Sequence, residues 1–259
     1  DEAGFKVAMQ EQKDRAKAAT AKISVTGDIK YAKVEEEVGS TEFVGYDEVA
    51  CEAKILALIE GEGYIDVVLD KTPFYAQSGG QCGDSGKIND NKVLDTKKYF
   101  ELNLSQIQVS STISVGDEVE CKVSPNRLEI RRHHSATHLL HAALRSVLGS
   151  HISQAGSSVE ADKLRFDFSH PKPVSSDELV QIEKFVNDQI QAGAKAKVEI
   201  MDINSAKNSG AIALFGEKYS DEVRVLTLGC SKELCGGTHV ENINEIGSFF
   251  ITKESGVSA

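Results

Sequence analysis

The sequence predicts an α+β protein in which a small β-barrel is followed by helices packed on an antiparallel sheet. Three observations carry that prediction. Residues 22–129 contain short runs of alternating or clustered apolar residues punctuated by Gly, Asn and Asp, with almost no helical period. That is the pattern of short strands closing into a barrel. Residues 130–259 mix apolar stripes at helical spacing with strand-like runs, the texture of helices lying on a sheet. Residues 1–21 are rich in Ala, Lys and Gln and contain no Pro, so they favour helix and read as a connecting helix.

Within the barrel region, KILALIEG, GYIDVVLD, KVLDTKKYFELN, STISVGDEVECKV and NRLEIRR read as strands. The glycine-rich stretch TPFYAQSGGQCGDSG (72–86) reads as a tight loop whose glycines take positive φ. It lacks the GxxxxGK[ST] pattern and following helix of a phosphate-binding loop, which argues against that function. Further on, HSATHLLHAALRSVLG predicts a helix burying Leu139, Leu140, Ala143, Leu144 and Val147 and stopping at Gly149. Ser175 and Glu178 have capping-box spacing and open a second helix, with Leu179, Ile182, Phe185, Val186 and Ile190 as its apolar stripe. KLRFDF, VEIMDI, VRVLTL and SFFITK predict the strands of this part.

Composition narrows the function classes. With 259 residues, 40% of them apolar and 27% charged, the chain can bury a real core. No run approaches the ~18 apolar residues of a membrane helix, so no membrane partner is expected. The opening, DEAGFKVAMQ, has neither an initiator Met nor a signal-peptide pattern and reads as the interior of a longer protein. Five cysteines without a CxxC pair argue against a disulfide framework and for a reducing, cytoplasmic setting. The net charge of −11 sits mainly in residues 1–130, with 24 acidic against 15 basic side chains. Residues 131–259 carry 16 against 14, a balance that leaves an RNA partner open.

The residues that carry chemistry are the histidines, six of which lie between 133 and 170. His134 and His138 are four apart on the predicted helix, so both imidazoles leave one face. Far along the chain, Cys235 and His239 repeat that spacing around two glycines. Imidazole and thiolate in a set of four suit a borderline-soft divalent ion such as Zn²⁺ in tetrahedral array. Either pair alone is a weak signal, and the two together favour a metal site. His141 is the reserve ligand, whereas His133, His151 and His170 read as capping or surface groups. Without HExxH or GxSxG, the chain lacks the signatures of a zincin protease and of a serine hydrolase. Cys235 ranks low as a nucleophile, because a metal-bound thiolate is a poor one.

HHSATHLLHAAL (133–144), SQAGSSV (153–159), LRFDFSH (164–170), ALFGEKY (213–219) and ELCGGTH (233–239) resemble the editing domain of alanyl-tRNA synthetase. TPFYAQSGGQCGDSG resembles the glycine-rich motif of the barrel that precedes that domain. The resemblance covers nearly the whole chain. It implies a translation-factor-like β-barrel over 22–129 and a threonyl/alanyl-tRNA synthetase-type editing domain over 130–259. It also implies zinc-dependent hydrolysis of mischarged seryl- and glycyl-tRNA(Ala). The family's metal positions fall on His134, His138, Cys235 and His239. Its site glutamine matches Gln154, and the threonine within HxxxH matches Thr137, expected to shape the amino-acid pocket. From the residues alone, Gln154 would be a strand-end amide and Thr137 an ordinary helix residue. The implied partners are tRNA(Ala) carrying the wrong amino acid and the aminoacylation domain of a parent chain, which this sequence does not contain. Two other readings stand beside this one: a free-standing trans-editing deacylase, and a tRNA-binding module with structural zinc.

Overall fold

The structure, a computed structural model, describes residues 29–213 and 220–256. The helix expected over 1–21 and most of ALFGEKY therefore lie outside the described residues. The chain divides into two compact units, one of Asp1–Ala76 with Gly86–Lys122 and one of Gln77–Ser85 with Val123–Ala259. The predicted α+β architecture is the one found.

Among the described residues, the first unit begins with a helix, α1, over residues 29–38. Its strands are β1 (Glu42–Phe43), β2 (Ala50–Glu60), β3 (Ile65–Leu69), β4 (Lys71–Thr72), β5 (Gly86–Ile88), β6 (Asn91–Tyr99), β7 (Leu102–Gln108) and β8 (Glu118–Val123). Six of them close a barrel in the order β2-β3-β7-β6-β5-β8. The period of two is plain in β8, where Val119, Cys121 and Val123 point inward and the charged residues between them face solvent. Closure leaves this sheet without an open edge. The sequence reading missed α1, although Tyr31, Val34 and Val38 fall at i, i+3 and i+7. They pack on Ile59, Val68, Leu102 and Leu104.

The second unit contains α2 (Asn126–Leu148), β9 (Gln154–Val159), β10 (Leu164–Phe168), α3 (Ser176–Ala192), β11 (Lys197–Asp202), α4 (Ile203–Asn208), β12 (Glu222–Leu228) and β13 (Ser231–Leu234). β9 and β10 form one antiparallel ladder, and β11-β12-β13 form an antiparallel sheet. Leu139 and Leu144 of α2 meet Ile182 and Val186 of α3 and Leu226 and Leu228 of β12 in one core. The capping box is present in full: the Ser175 hydroxyl accepts from the Glu178 amide, and the Glu178 carboxylate accepts from the Ser175 amide. At the far end Gly193 ends α3 with φ of 70°.

Several segments differ from expectation. KVLDTKKYFELN is not one strand but most of β6, a turn at Phe100 with φ of 53°, and the start of β7. NRLEIRR is not a strand but the first two turns of α2. Leu128 and Ile130 alternate as strand residues would, yet Leu128 is exposed while Arg127, Ile130 and His134 share the buried helical face. SFFITK forms no strand either. Its backbone is held by side chains of α3: Asn187 Nδ2 donates to Phe249 O at 2.8 Å and Asn187 Oδ1 accepts from Phe249 N at 3.0 Å. Glu183 Oε2 accepts from Ile251 N at 2.9 Å. With those groups satisfied, no neighbouring strand is needed.

Candidate metal centre

α2 carries His134 and His138 one turn apart on its inward face, 5% and 7% exposed. Cys235 and His239 come from the loop that follows β13. One ligand atom from each of these four residues falls within 4.8 Å of every other. Cys235 Sγ is 3.3 Å from His239 Nε2 and 3.6 Å from His134 Nε2. Tetrahedral bonds of ~2.0–2.1 Å to nitrogen and ~2.3 Å to sulfur place the two atoms ~3.5 Å apart, which is the spacing found. His138 Nε2 is buried and has no hydrogen-bond partner. A cation at the centre would satisfy it, so the residues present fit a metal ion.

Each imidazole is held from behind by a second group. His138 Nδ1 lies 2.9 Å from Glu233 Oε2, and His134 Nδ1 lies 2.7 Å from Gln81 Oε1. His239 Nδ1 faces Ser135 Oγ at 3.4 Å, while that hydroxyl donates to Arg131 O at 2.7 Å. Glu233 also accepts from Ser231 Oγ at 2.9 Å and lies 3.0 Å from His141 Nδ1. Ligand histidines are commonly oriented this way, with the outer nitrogen hydrogen-bonded and the inner one left for the metal.

The electrostatics favour separated charge. Burial works against a Cys235 thiolate, but the charges of His134, His239 and His138 prevail and hold its pKa well below the usual thiol value. Burial likewise opposes charge on Glu233 and His138, and their mutual attraction wins, taking Glu233 to about 2 and His138 to about 10. For His239, burial and the charge of His134 act in the same direction and depress it to about 3. Near neutral pH the metal-free cluster therefore holds a proton on His138, while the Cys235 thiol is driven toward the thiolate. A ligand imidazole must be neutral, so metal binding is expected to release the proton His138 holds and to weaken as pH falls. Calorimetry in buffers of different ionisation enthalpy checks this; zero proton release contradicts it.

Gly237 is the close approach that lets the two pairs converge. A Cβ there would run into the His134 ring and lie 2.9 Å from Gln81 Oε1. Gly237→Ala is expected to displace His134 and to cost ~1–3 kcal/mol of stability through overpacking. Urea unfolding, with zinc titration beside it, reads both effects; unchanged metal affinity contradicts the geometry.

Comparison with known proteins places this cluster in context. A family model described as tRNA synthetases class II (A) matches residues 1–127. A second, the threonyl and alanyl tRNA synthetase second additional domain, matches residues 223–259, the segment holding Cys235 and His239. Over its whole length the chain is 56% identical to the alanine–tRNA ligase of Sulfurimonas denitrificans. It is 53% identical to that of Campylobacter jejuni subsp. jejuni (strain 81-176) and 49% to that of Wolinella succinogenes, again over its whole length. The chain belongs to the alanyl-tRNA synthetase family. It covers 32% of each of these three relatives, so it spans about a third of their length. Among the described residues, no helix is long and apolar enough to cross a membrane.

The other residues implied by the alanyl-tRNA synthetase resemblance take these positions. Thr137 is buried on α2 between His134 and His138, and its hydroxyl donates to His133 O at 2.8 Å. Gln154 begins β9, half-buried, and its Nε2 donates to Ser157 Oγ at 3.2 Å. His141 is outside the four-residue group, with its Nδ1 turned to Glu233. Sequence reasoning missed Glu233 and Gln81. Glu233 had one signal: an acidic residue two positions before Cys235, at a buried position of β13. Gln81 had none beyond membership of the glycine-rich loop.

Proposed function

We propose that this centre binds zinc and removes the wrong amino acid from tRNA(Ala), hydrolysing seryl and glycyl esters. The observation that carries the reading is the cluster itself: three imidazoles and one thiolate within 4.8 Å, in an alanyl-tRNA synthetase relative. An aminoacyl ester is already labile, so a site for its hydrolysis needs position and charge stabilisation more than a strong nucleophile. When bound, zinc supplies a positive centre that lowers the pKa of a water or holds the substrate's α-amino group.

Selectivity falls to the protein's polar groups. An alanine-activating pocket rejects glycine poorly, since a missing methyl contributes only ~1–3 kcal/mol. Serine has to be sorted by groups that bond its hydroxyl. The Gln154 amide is one; the Thr137 oxygen, its proton committed to His133 O, is an acceptor. Gln154→Ala is expected to lower seryl-tRNA(Ala) hydrolysis at least ~10-fold, about the effect of one lost polar contact of ~1.4 kcal/mol, with zinc content unchanged. Equal loss of both in a deacylation and metal-content assay makes Gln154 structural.

A tRNA-binding module with structural zinc is the second reading. The closed set of four protein ligands favours it, because hydrolytic zinc usually keeps one position open. Incubating the chain with seryl- and alanyl-tRNA(Ala), with and without chelator, separates the two. Chelator-sensitive loss of the seryl ester with the alanyl ester spared supports editing; no hydrolysis by zinc-loaded protein supports the binding module.

A further inference from the structure

The glycine-rich loop Gln77–Ser85 belongs to the second unit and delivers one fully buried polar side chain, Gln81, to the cluster. Gln81 Oε1 accepts from the Thr238 amide at 3.0 Å, and its Nε2 donates to Thr238 Oγ1 at 2.9 Å. A backbone N–H can only donate, so the amide atom facing it must be oxygen, and the orientation of the Gln81 side chain is fixed. That same oxygen lies 2.7 Å from His134 Nδ1. An acceptor at that distance requires Nδ1 to carry a proton. The neutral ring then presents the lone pair of Nε2, the nitrogen 3.6 Å from Cys235 Sγ.

The loop is pinned on both sides of Gln81. Before it, a Cβ on Gly80 (φ +84°) would lie 2.7 Å from the Ser157 carbonyl oxygen. Val159 N donates to Gly80 O at 2.8 Å, and Cys82 N donates to Val159 O at 3.0 Å, so the loop runs beside β9. After it, the buried Asp84 carboxylate is paired with Arg127 of α2. Gln81 is thus presented by a backbone held independently of the histidine it meets.

We infer that Gln81 is a positioning residue: it sets the tautomer and ring orientation of His134, and through them the affinity of the site for its metal. The inference rests on the metal reading above. Its test is a zinc titration of the chain against a chromophoric chelator, for the parent, Gln81→Met and Gln81→Glu. Met keeps the length but removes the acceptor, and affinity is expected to fall ~10–100-fold, the usual effect of losing an outer partner of a ligand histidine. Glu still accepts from His134 and Thr238 and is expected to bind zinc at least as tightly as the parent.

Parent-like affinity in Gln81→Met overturns the inference and leaves the metal reading standing. Equal weakening in Met and Glu overturns it too, because a packing role gives no rescue. A parent that binds no zinc overturns the metal reading and the inference with it. Should Gln81→Met fail to fold, proton–nitrogen correlation spectra of the zinc-loaded parent decide. A protonated His134 Nδ1 with zinc on Nε2 is expected, and the reverse tautomer overturns the inference.

Discussion

Cys235→Ser is expected to cost the centre its metal. The substitution replaces a thiolate by a hydroxyl that stays protonated near neutral pH and ligates a borderline-soft ion weakly. Loss of an outer partner costs ~10–100-fold in affinity, and loss of a ligand should exceed that range. The charge balance shifts as well, since Cys235 and Glu233 are the negative groups against which His134, His138 and His239 are arranged. Seryl-tRNA(Ala) hydrolysis should fall with the metal content. Zinc per chain after dialysis, measured beside the deacylation rate, checks this; a variant retaining stoichiometric zinc contradicts the ligand assignment.

The second large effect concerns stability. Asp84 and Arg127 are 1% and 3% exposed, and Arg127 Nε donates to Asp84 Oδ1 at 2.9 Å and Oδ2 at 2.8 Å. Asp84→Asn removes one charge of a buried pair and is expected to cost ~3–5 kcal/mol. Replacing both residues, as Asp84→Leu with Arg127→Met, removes the desolvation of both ions and should recover most of that loss. Urea unfolding of the parent and of both variants is the measurement. A single variant within ~1 kcal/mol of the parent would show that the pair contributes no more than an exposed one.

The two parts of the protein were unequally legible in its sequence. The cluster could be read because its four residues repeat one spacing, HxxxH and CxxxH, and donor chemistry limits what such a set does. The core face of α2 from His134 onward was legible for the same kind of reason, a sustained 3.6-residue period ending at a glycine. The start of α2 was not, because Leu128 and Ile130 at i, i+2 satisfy a strand pattern over a window too short to reveal the helix. SFFITK failed in another way. Its alternation is genuine, with Phe249 buried and Phe250 69% exposed, but Asn187 and Glu183 take the hydrogen bonds a strand partner would have taken.

Gln81 marks the deeper limit. Its partners, His134 and Thr238, lie 53 and 157 residues away, and nothing periodic links them. Of the glycines around it, Gly79 and Gly80 take the positive φ expected of a tight loop, whereas Gly83 does not and Gly86 stands in β5. What the loop is for depends on where it docks, a tertiary fact with no local trace. Glu233 is intermediate: it lies inside ELCGGTH, but the spacing of that motif points to Cys235 and His239 and carries no sign of the carboxylate that meets His138.

X-ray absorption at the zinc edge of the zinc-loaded chain tests the central claim most directly. A first shell of three nitrogens at ~2.0–2.1 Å and one sulfur at ~2.3 Å is expected. A shell without sulfur, or a chain that retains no stoichiometric metal, would contradict the assignment of His134, His138, Cys235 and His239 as one site.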